Sequence, residues 1–528
     1  MRTIFLSMTS ALALAACATT TQTSTAPTPA QEASASAVTD TDNGASRLGR
    51  VAYKPQQAGD SYYTSASASV SERAGADFAP KAKNIILFVG DGMGVSTITA
   101  GRIYAGQQRG VDGESYRLTM ESLPWSAFSK TYSHDAQVSD SASTATAMMS
   151  GVKTASRTLG LRQGVAYGNC ASAQGQGTDS IFEIAEKAGL ATGIVSTARI
   201  THATPAATYS ESANRNWEDD REVGETDCTD IASQLIDWPA GDGFEVVLGG
   251  GRAPFMPASI NDPETGEPAG ARVDGENLID GWTAKSSDHV YITDRTSFDA
   301  TDFASSARVL GLFQPSHMQY ELDRANDTAG EPSLSELTRA AITRLSREDE
   351  GYILLVEGGR IDHAHHGVNA ARALGDTDAL DQAVATALEM TSTEDTLIMV
   401  TADHSHTMTI AGYPARGNPI LGKVGYGPGG MARADDGKPY TTLGYANGET
   451  ACAPGEEECA RKDITSTDTT DKDYQQQSHV FMGSETHAGE DVPVFASGPG
   501  AELVRGVIEQ NELFHIMGRA SGLVDYED

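Results

Sequence analysis

Between Glu357 and His366 the chain sets two carboxylates, Glu357 and Asp362, and three imidazoles, His363, His365 and His366, directly after the apolar run "YILLV". Carboxylate oxygens and imidazole nitrogens are ligands for zinc-class ions, and all-oxygen sets suit magnesium or calcium. Asp362 and His366 stand four apart, so a helix through "DHAHH" puts them on one face, where they can hold one divalent ion. Glu357 lies on the strand side of a Gly-Gly turn, placed to serve a separate cation. Helical spacing turns His365 away from Asp362, which leaves a structural role open to it.

The same grammar recurs along the chain. "FVGDGMG" supplies Asp91, "TADHSH" supplies Asp403 and His404, and "ETHAGED" supplies His487. One such cluster reads equally well as helix caps and core histidines. Their recurrence at the ends of apolar runs or beside glycine turns provides ligands for two zinc-like ions and one harder ion. "VSDSASTATAMMSG" adds a hydroxyl. Ser141 opens a run of small residues that reads as a packed helix ending near Gly151, so its Oγ would face a bound anion. On local sequence alone, capping that helix is the favoured role. Arg215, in "ESANRNWEDD", has the fork for two phosphate oxygens, although its neighbours alone would rank it as a surface residue.

Positioning these groups requires strands. Short apolar runs at 84–92, 191–204, 244–251, 352–359 and 396–406 each end in Gly or polar residues, and helical patterns such as "DSIFEIAEKAG" separate them. This alternation predicts an α/β fold, a doubly wound, mostly parallel sheet with helices on both faces. Ligands in such sheets sit beyond the carboxyl ends of the strands, where the metal-seeking clusters fall. Residues 412–477 are rich in Gly, Asp and Thr without helical periodicity and read as an inserted subdomain.

Composition sets further bounds. Lys and Arg total 38 against 72 acids in 528 residues, a net charge of -34 that argues against nucleic acid or anionic lipid as a partner. Residues 1–16 read as a signal peptide whose "LAAC" ending resembles a bacterial lipobox, with Cys17 as the acylated residue; a plain secretory cut is the alternative. Residues 17–46 form a Ser/Thr/Ala-rich tether and 47–80 an N-terminal arm. The expected location is the periplasm or cell surface. Export leaves Cys170, Cys228, Cys452 and Cys459 for two disulfides. The short 452–459 interval favours a local loop, which pairs Cys170 with Cys228.

"FVGDGMG", "DSASTATAM", "HATPAATY", "NRNW", "VEGGRIDHAHH", "TADHSH" and "ETHAGEDVPVFA" stand in the order and approximate spacing of the alkaline phosphatases, and the chain from about 81 to 520 resembles their animal-type branch. The resemblance implies a core over 81–411 and 478–528 with a crown-like insert at 412–477. It implies Ser141 as a phosphorylated nucleophile and Arg215 as phosphate clamp. It further implies one zinc on Asp362, His366 and His487, a second on Asp91, Asp403 and His404, and magnesium on Asp91, Thr204 and Glu357, with His202 and His363 nearby. A calcium site would use Glu264, Phe313, Gln314 and Glu331, with Gln314 removing one acid. The implied activity is broad hydrolysis of phosphate monoesters with an alkaline optimum, in a homodimer with "GYPARG" near its interface. The alternatives are a phosphodiesterase of the same superfamily and a non-catalytic surface lipoprotein that binds metal or phosphate.

Overall fold

A computed structural model describes residues 48–453 and 460–526. Two units divide the chain, Met1–Gly44 and Ala45–Asp528, and the described residues fall in the second. The signal, Cys17 and the tether up to residue 46 therefore lie outside the described residues, as does Cys459.

In chain order the strands are β1 (Asn84–Gly90), β2 (Trp125–Lys130), β3 (Ala191–Arg199), β4 (Val246–Gly250), β5 (His289–Ile292), β6 (Arg308–Leu312), β7 (Tyr352–Gly358) and β8 (Thr396–Ala402). They continue with β9 (Ser405–His406), β10 (Met408–Ile410), β11 (Leu443–Gly448), β12 (Ser478–Phe481), β13 (His487–Ala488), β14 (Val492–Ser497) and β15 (Gly506–Glu509). The main sheet runs β15-β2-β14-β8-β1-β7-β3-β4-β6-β5. β14 is antiparallel to β8 and β2, and every other pairing in this sheet is parallel.

Both faces of the sheet are covered, which is why the central strands are apolar at consecutive positions rather than alternate ones. Ile85, Leu87 and Val89 of β1 enter one core, and Ile86 and Phe88 enter the other. Register then sets the site. Gly90 aligns with Gly358 of β7 and Ala402 of β8, so Asp91 and Asp403 leave the sheet side by side while Glu357 sits opposite Val89.

The 412–477 stretch holds no α-helix among its described residues, and β11 pairs with β10 and β12 on either side of it. Its Ile420, Leu421, Leu443 and Tyr445 bury against Ile103, Tyr104 and Leu374, which ties the insert to helices Val95–Gln108 and Ala370–Met390. Cys170 and Cys228 form a disulfide, the pairing left once the short 452–459 interval is read as a local loop.

Candidate active site

Asp91 follows β1 and is fully buried. Gly92 has φ +69°, and a Cβ there would meet the His406 ring at 2.3 Å, so only glycine fits the turn. Its N–H donates to Asp403 Oδ1 at 2.9 Å, which fixes the two aspartates relative to each other. Helix Ser141–Ser150 is capped by Asp140, whose carboxylate accepts from the Ala142 N–H. This corrects the capping role expected for Ser141: the cap precedes it, and its Oγ is free to face the cluster. Oγ lies 3.2 Å from His404 Nε2 and 3.4 Å from Asp91 Oδ1. Arg215 is no surface residue either. Its Nη1 donates to Asp140 Oδ2 at 3.1 Å and its Nη2 sits 2.9 Å from His202 Nε2.

The spacings between ligand atoms carry chemical information. A tetrahedral ion with ligands at about 2.0–2.1 Å has edges of roughly 3.3 Å. His487 Nε2 is 3.2 Å from His366 Nε2 and 3.3 Å from Asp362 Oδ1, and His366 Nε2 is 3.4 Å from Asp362 Oδ1. Around His404 Nε2, Asp91 Oδ1 stands at 3.4 Å, Asp403 Oδ2 at 3.2 Å and Ser141 Oγ at 3.2 Å. Both sets have the edge lengths of a tetrahedral site, and Ser141 Oγ stands at the remaining corner of the second. Outer contacts orient the rings. His487 Nδ1 meets Ser139 O at 2.8 Å and His366 Nδ1 meets Glu485 O at 2.5 Å, which turns each Nε2 inward as a lone-pair donor.

A third set is oxygen-rich. Asp91 Oδ2, Glu357 Oε1 and Thr204 Oγ1 are buried without a hydrogen-bond partner, and so is His202 Nδ1. Thr204 stands beside Glu357 but outside hydrogen-bonding geometry. Buried polar atoms of this kind are rare unless something binds them. Asp91, His202 and Glu357 each bring a ligand atom within 4.8 Å of the others. The His363 ring meets His202 edge-on at 5.3 Å between centroids and lies tilted against His317 at 4.0 Å.

Crowded carboxylates repel one another here. Burial, then the charge of Asp403 and Asp362, pushes Glu357 up to about 8, although Ser196 donates to it. Asp91 is raised by burial and by Asp403, Asp362 and Glu357, and burial raises Asp403. Burial opposes ionisation of Asp362 too, but His366, His406 and His487 hold it well below the usual range. Keeping several such charges buried costs several kcal/mol each unless cations compensate them. The donor set therefore fits divalent ions in all three places.

His406 and Glu485 were not singled out from the sequence. His406 Nε2 lies 2.7 Å from Asp362 Oδ1 and its Nδ1 2.6 Å from Glu485 Oε2. "TADHSH" did carry a signal, since His404 and His406 stand two apart in extended chain and share a face. His365 is structural: Nε2 meets Thr97 Oγ1 at 3.0 Å and Nδ1 the Tyr445 hydroxyl at 2.8 Å.

Glu264, Phe313, Gln314 and Glu331 gather elsewhere, joined by Asp327. Gln314 Nε2 donates to Asp327 Oδ1 at 2.9 Å, Glu264 accepts from Arg252 at 2.8 Å, and Asp327 Oδ2 is buried without a partner. Burial, then Asp327 and Glu264, raises Glu331 to about 7.

Ser141, Arg215, His202, Asp362, His366 and His487 line a cavity of about 430 Å³ open to solvent. The alkaline phosphatase family model matches residues 82–523. Over 450 residues the chain is 45% identical to a tissue-nonspecific alkaline phosphatase of Gallus gallus, covering 83% of this chain and 84% of the relative. The Homo sapiens counterpart is 44% identical over 450 residues, with the same coverage. Among solved structures, Thermus thermophilus alkaline phosphatase superposes with a TM-score of 0.60 at 25% identity, covering 85% of this chain and 93% of that one. The alkaline phosphatase of the Antarctic bacterium TAB5 shares the fold at a TM-score of 0.56 and 24% identity, covering 84% and 98%. The chain thus belongs to the alkaline phosphatase family and is a hydrolase of phosphate monoesters.

Proposed function

We propose that hydrolysis takes place in the cavity beyond β1, β7 and β8, with Ser141 as nucleophile and a covalent phosphoserine between two displacements. The observation that carries this reading is Ser141 Oγ standing 3.2 Å from His404 Nε2 and 3.4 Å from Asp91 Oδ1, at the open vertex of a metal-ligand set.

The residues that would hold the ions are Asp362, His366 and His487 for one zinc, Asp91, Asp403 and His404 for a second, and Asp91, Thr204 and Glu357 for magnesium, with His202 and His363 beside them. When bound, such ions supply Lewis acidity to phosphoryl oxygens and favour the deprotonated form of hydroxyls. The chain's own groups do the rest. Ser141 Oγ gives its proton to solvent and forms a bond to phosphorus as the ester P–O bond breaks, and the alcohol leaves with a proton from solvent. Water then attacks phosphorus from the vacated side, the Oγ–P bond breaks, Ser141 regains a proton and inorganic phosphate departs. Arg215, oriented by Asp140, holds non-bridging oxygens in line through both steps. The residues lining the cavity are polar or charged, which suits a phosphoryl group and gives the alcohol no apolar pocket of its own, and this supports broad specificity. Loss of protons from hydroxyl nucleophiles as pH rises supports an alkaline optimum.

Ser141→Ala is expected to lower kcat/KM on phenyl phosphate by about 10³-fold or more. Exhaustive chelation is expected to abolish turnover until zinc and magnesium are returned. A variant retaining near-wild-type turnover would exclude Ser141 as the nucleophile.

We also infer a homodimer, supported by Tyr413 in "GYPARG", which is 92% exposed and held at φ +59°. Export is supported by the disulfide, which needs an oxidising compartment, and the "LAAC" cysteine supports a lipid anchor at Cys17. No helix among the described residues is long and apolar enough to cross a membrane. Mass measurement of the mature N-terminus tests the anchor: a start downstream of Cys17 excludes it. A weak calcium site at Glu264, Phe313, Gln314 and Glu331 is supported by the partnerless Asp327 Oδ2 and opposed by the amide nitrogen that Gln314 turns toward that acid. Metal analysis finding no calcium after equilibration would remove it.

A further inference from the structure

Arg157 lies in the loop after the Ser141 helix with φ +67°, one of three non-glycine residues at positive φ among those described. A side chain with a Cβ is strained there, and glycine or asparagine would hold the turn more easily. Its backbone is clamped from both sides. The N–H donates to Asp140 Oδ1 at 2.8 Å, and the carbonyl accepts from the Arg215 N–H at 2.9 Å. These bonds dictate the backbone and leave the side chain free to be anything. What stands there is an exposed guanidinium lining the mouth of the cavity, with Cζ 5.7 Å from the Tyr167 ring centre.

The other two arginines of the cavity are engaged. Arg215 pairs with Asp140, and Arg199 with Glu218 through Nε to Oε2 at 2.7 Å. Among the described residues Arg157 has no carboxylate partner. It therefore offers an uncompensated positive charge at the entrance of a site in a chain of net charge -34, whose field otherwise repels polyanions. A strained residue whose backbone role does not need its side chain points to a use for that side chain.

We propose that Arg157 forms a leaving-group subsite, which selects phosphate esters whose departing portion bears a second negative charge, a carboxylate or a further phosphate. The proposal rests on the phosphate position given above, between Ser141 and Arg215.

The test compares kcat/KM for phenyl phosphate with that for 4-carboxyphenyl phosphate and inorganic pyrophosphate, in the wild type, Arg157→Gln and Arg157→Gly, at low and high salt. Both variants are expected to keep phenyl phosphate within about twofold. Each is expected to lose about five- to tenfold on at least one anionic-leaving-group substrate, mainly in KM, with the wild-type preference shrinking in salt. Arg157→Gly relieves the backbone, so an unchanged or higher Tm separates subsite loss from misfolding. An unchanged ratio between substrates overturns the proposal, and so does a parallel loss on all three. Absence of wild-type turnover on phenyl phosphate would instead sink the reading of the cavity itself.

Discussion

His406 shows how a residue can matter without holding an ion. Burial opposes its charge, but hydrogen bonds to Asp362 and Glu485 raise it to about 10, and both ring nitrogens face carboxylate acceptors. It fixes the oxygen that Asp362 offers beside His366 and His487. Replacement by alanine is expected to weaken zinc binding by about 10- to 100-fold, read by competition with a chromogenic chelator. Unchanged affinity would reduce His406 to a packing role. At this scale much was legible: Asp91, Asp403 and His404 announce themselves because each follows an apolar run. Glu485 did not, since a lone acid in "GSETHAG" has no local mark; it becomes visible only when β13 pairs with β9 and sets His487 opposite His406.

The helix from Ser141 to Ser150 is held at its far end by Gly151, at φ +77°, where a Cβ would meet Phe514, His515 and Tyr63. Just beyond, Lys153 buries its ammonium 3.1 Å from Glu509 Oε2 and 3.2 Å from the centre of the Tyr132 ring, and donates to Tyr132 O at 2.9 Å. Burial dominates and pushes Lys153 down to about 8. In the unfolded chain a lysine titrates near 10.4, so between these values the unfolded state binds the extra proton and stability rises with pH. Against Lys153→Met, the wild type is therefore expected to gain about 2.5 kcal/mol from pH 8 to 10.4, measured by urea unfolding at each pH. A difference that stays flat across this range would contradict the buried charge. The helix was readable from its small residues and terminal glycine, and β1, β3, β4, β7 and β8 from apolar runs ending in glycine or polar residues. β2, β14 and β15 were not. β2 is "WSAFSK", exposed on part of one side, and its place beside the antiparallel β14 depends on long-range pairing that no local pattern encodes.

Across the whole molecule, Asp91, Ser141, Thr204, Asp362, Asp403 and His487 come from six separate segments, and only the assembled sheet brings them to one cavity. The insert takes part in this arrangement, because Tyr445 reaches His365 of the helix Arg360–His366 that carries Asp362 and His366. The homodimer proposed above would place Tyr413, 92% exposed, in contact with the second copy. Tyr413→Ala is expected to shift sedimentation equilibrium toward monomer by about tenfold in Kd, and an unmoved equilibrium would place the interface elsewhere. The most direct measurement is acid quenching of the zinc- and magnesium-loaded protein during turnover of phenyl phosphate, followed by peptide mass mapping. A phosphoryl group is expected on Ser141 and on no other residue. A phosphoryl group on a different side chain, or full turnover with none on Ser141, would contradict it.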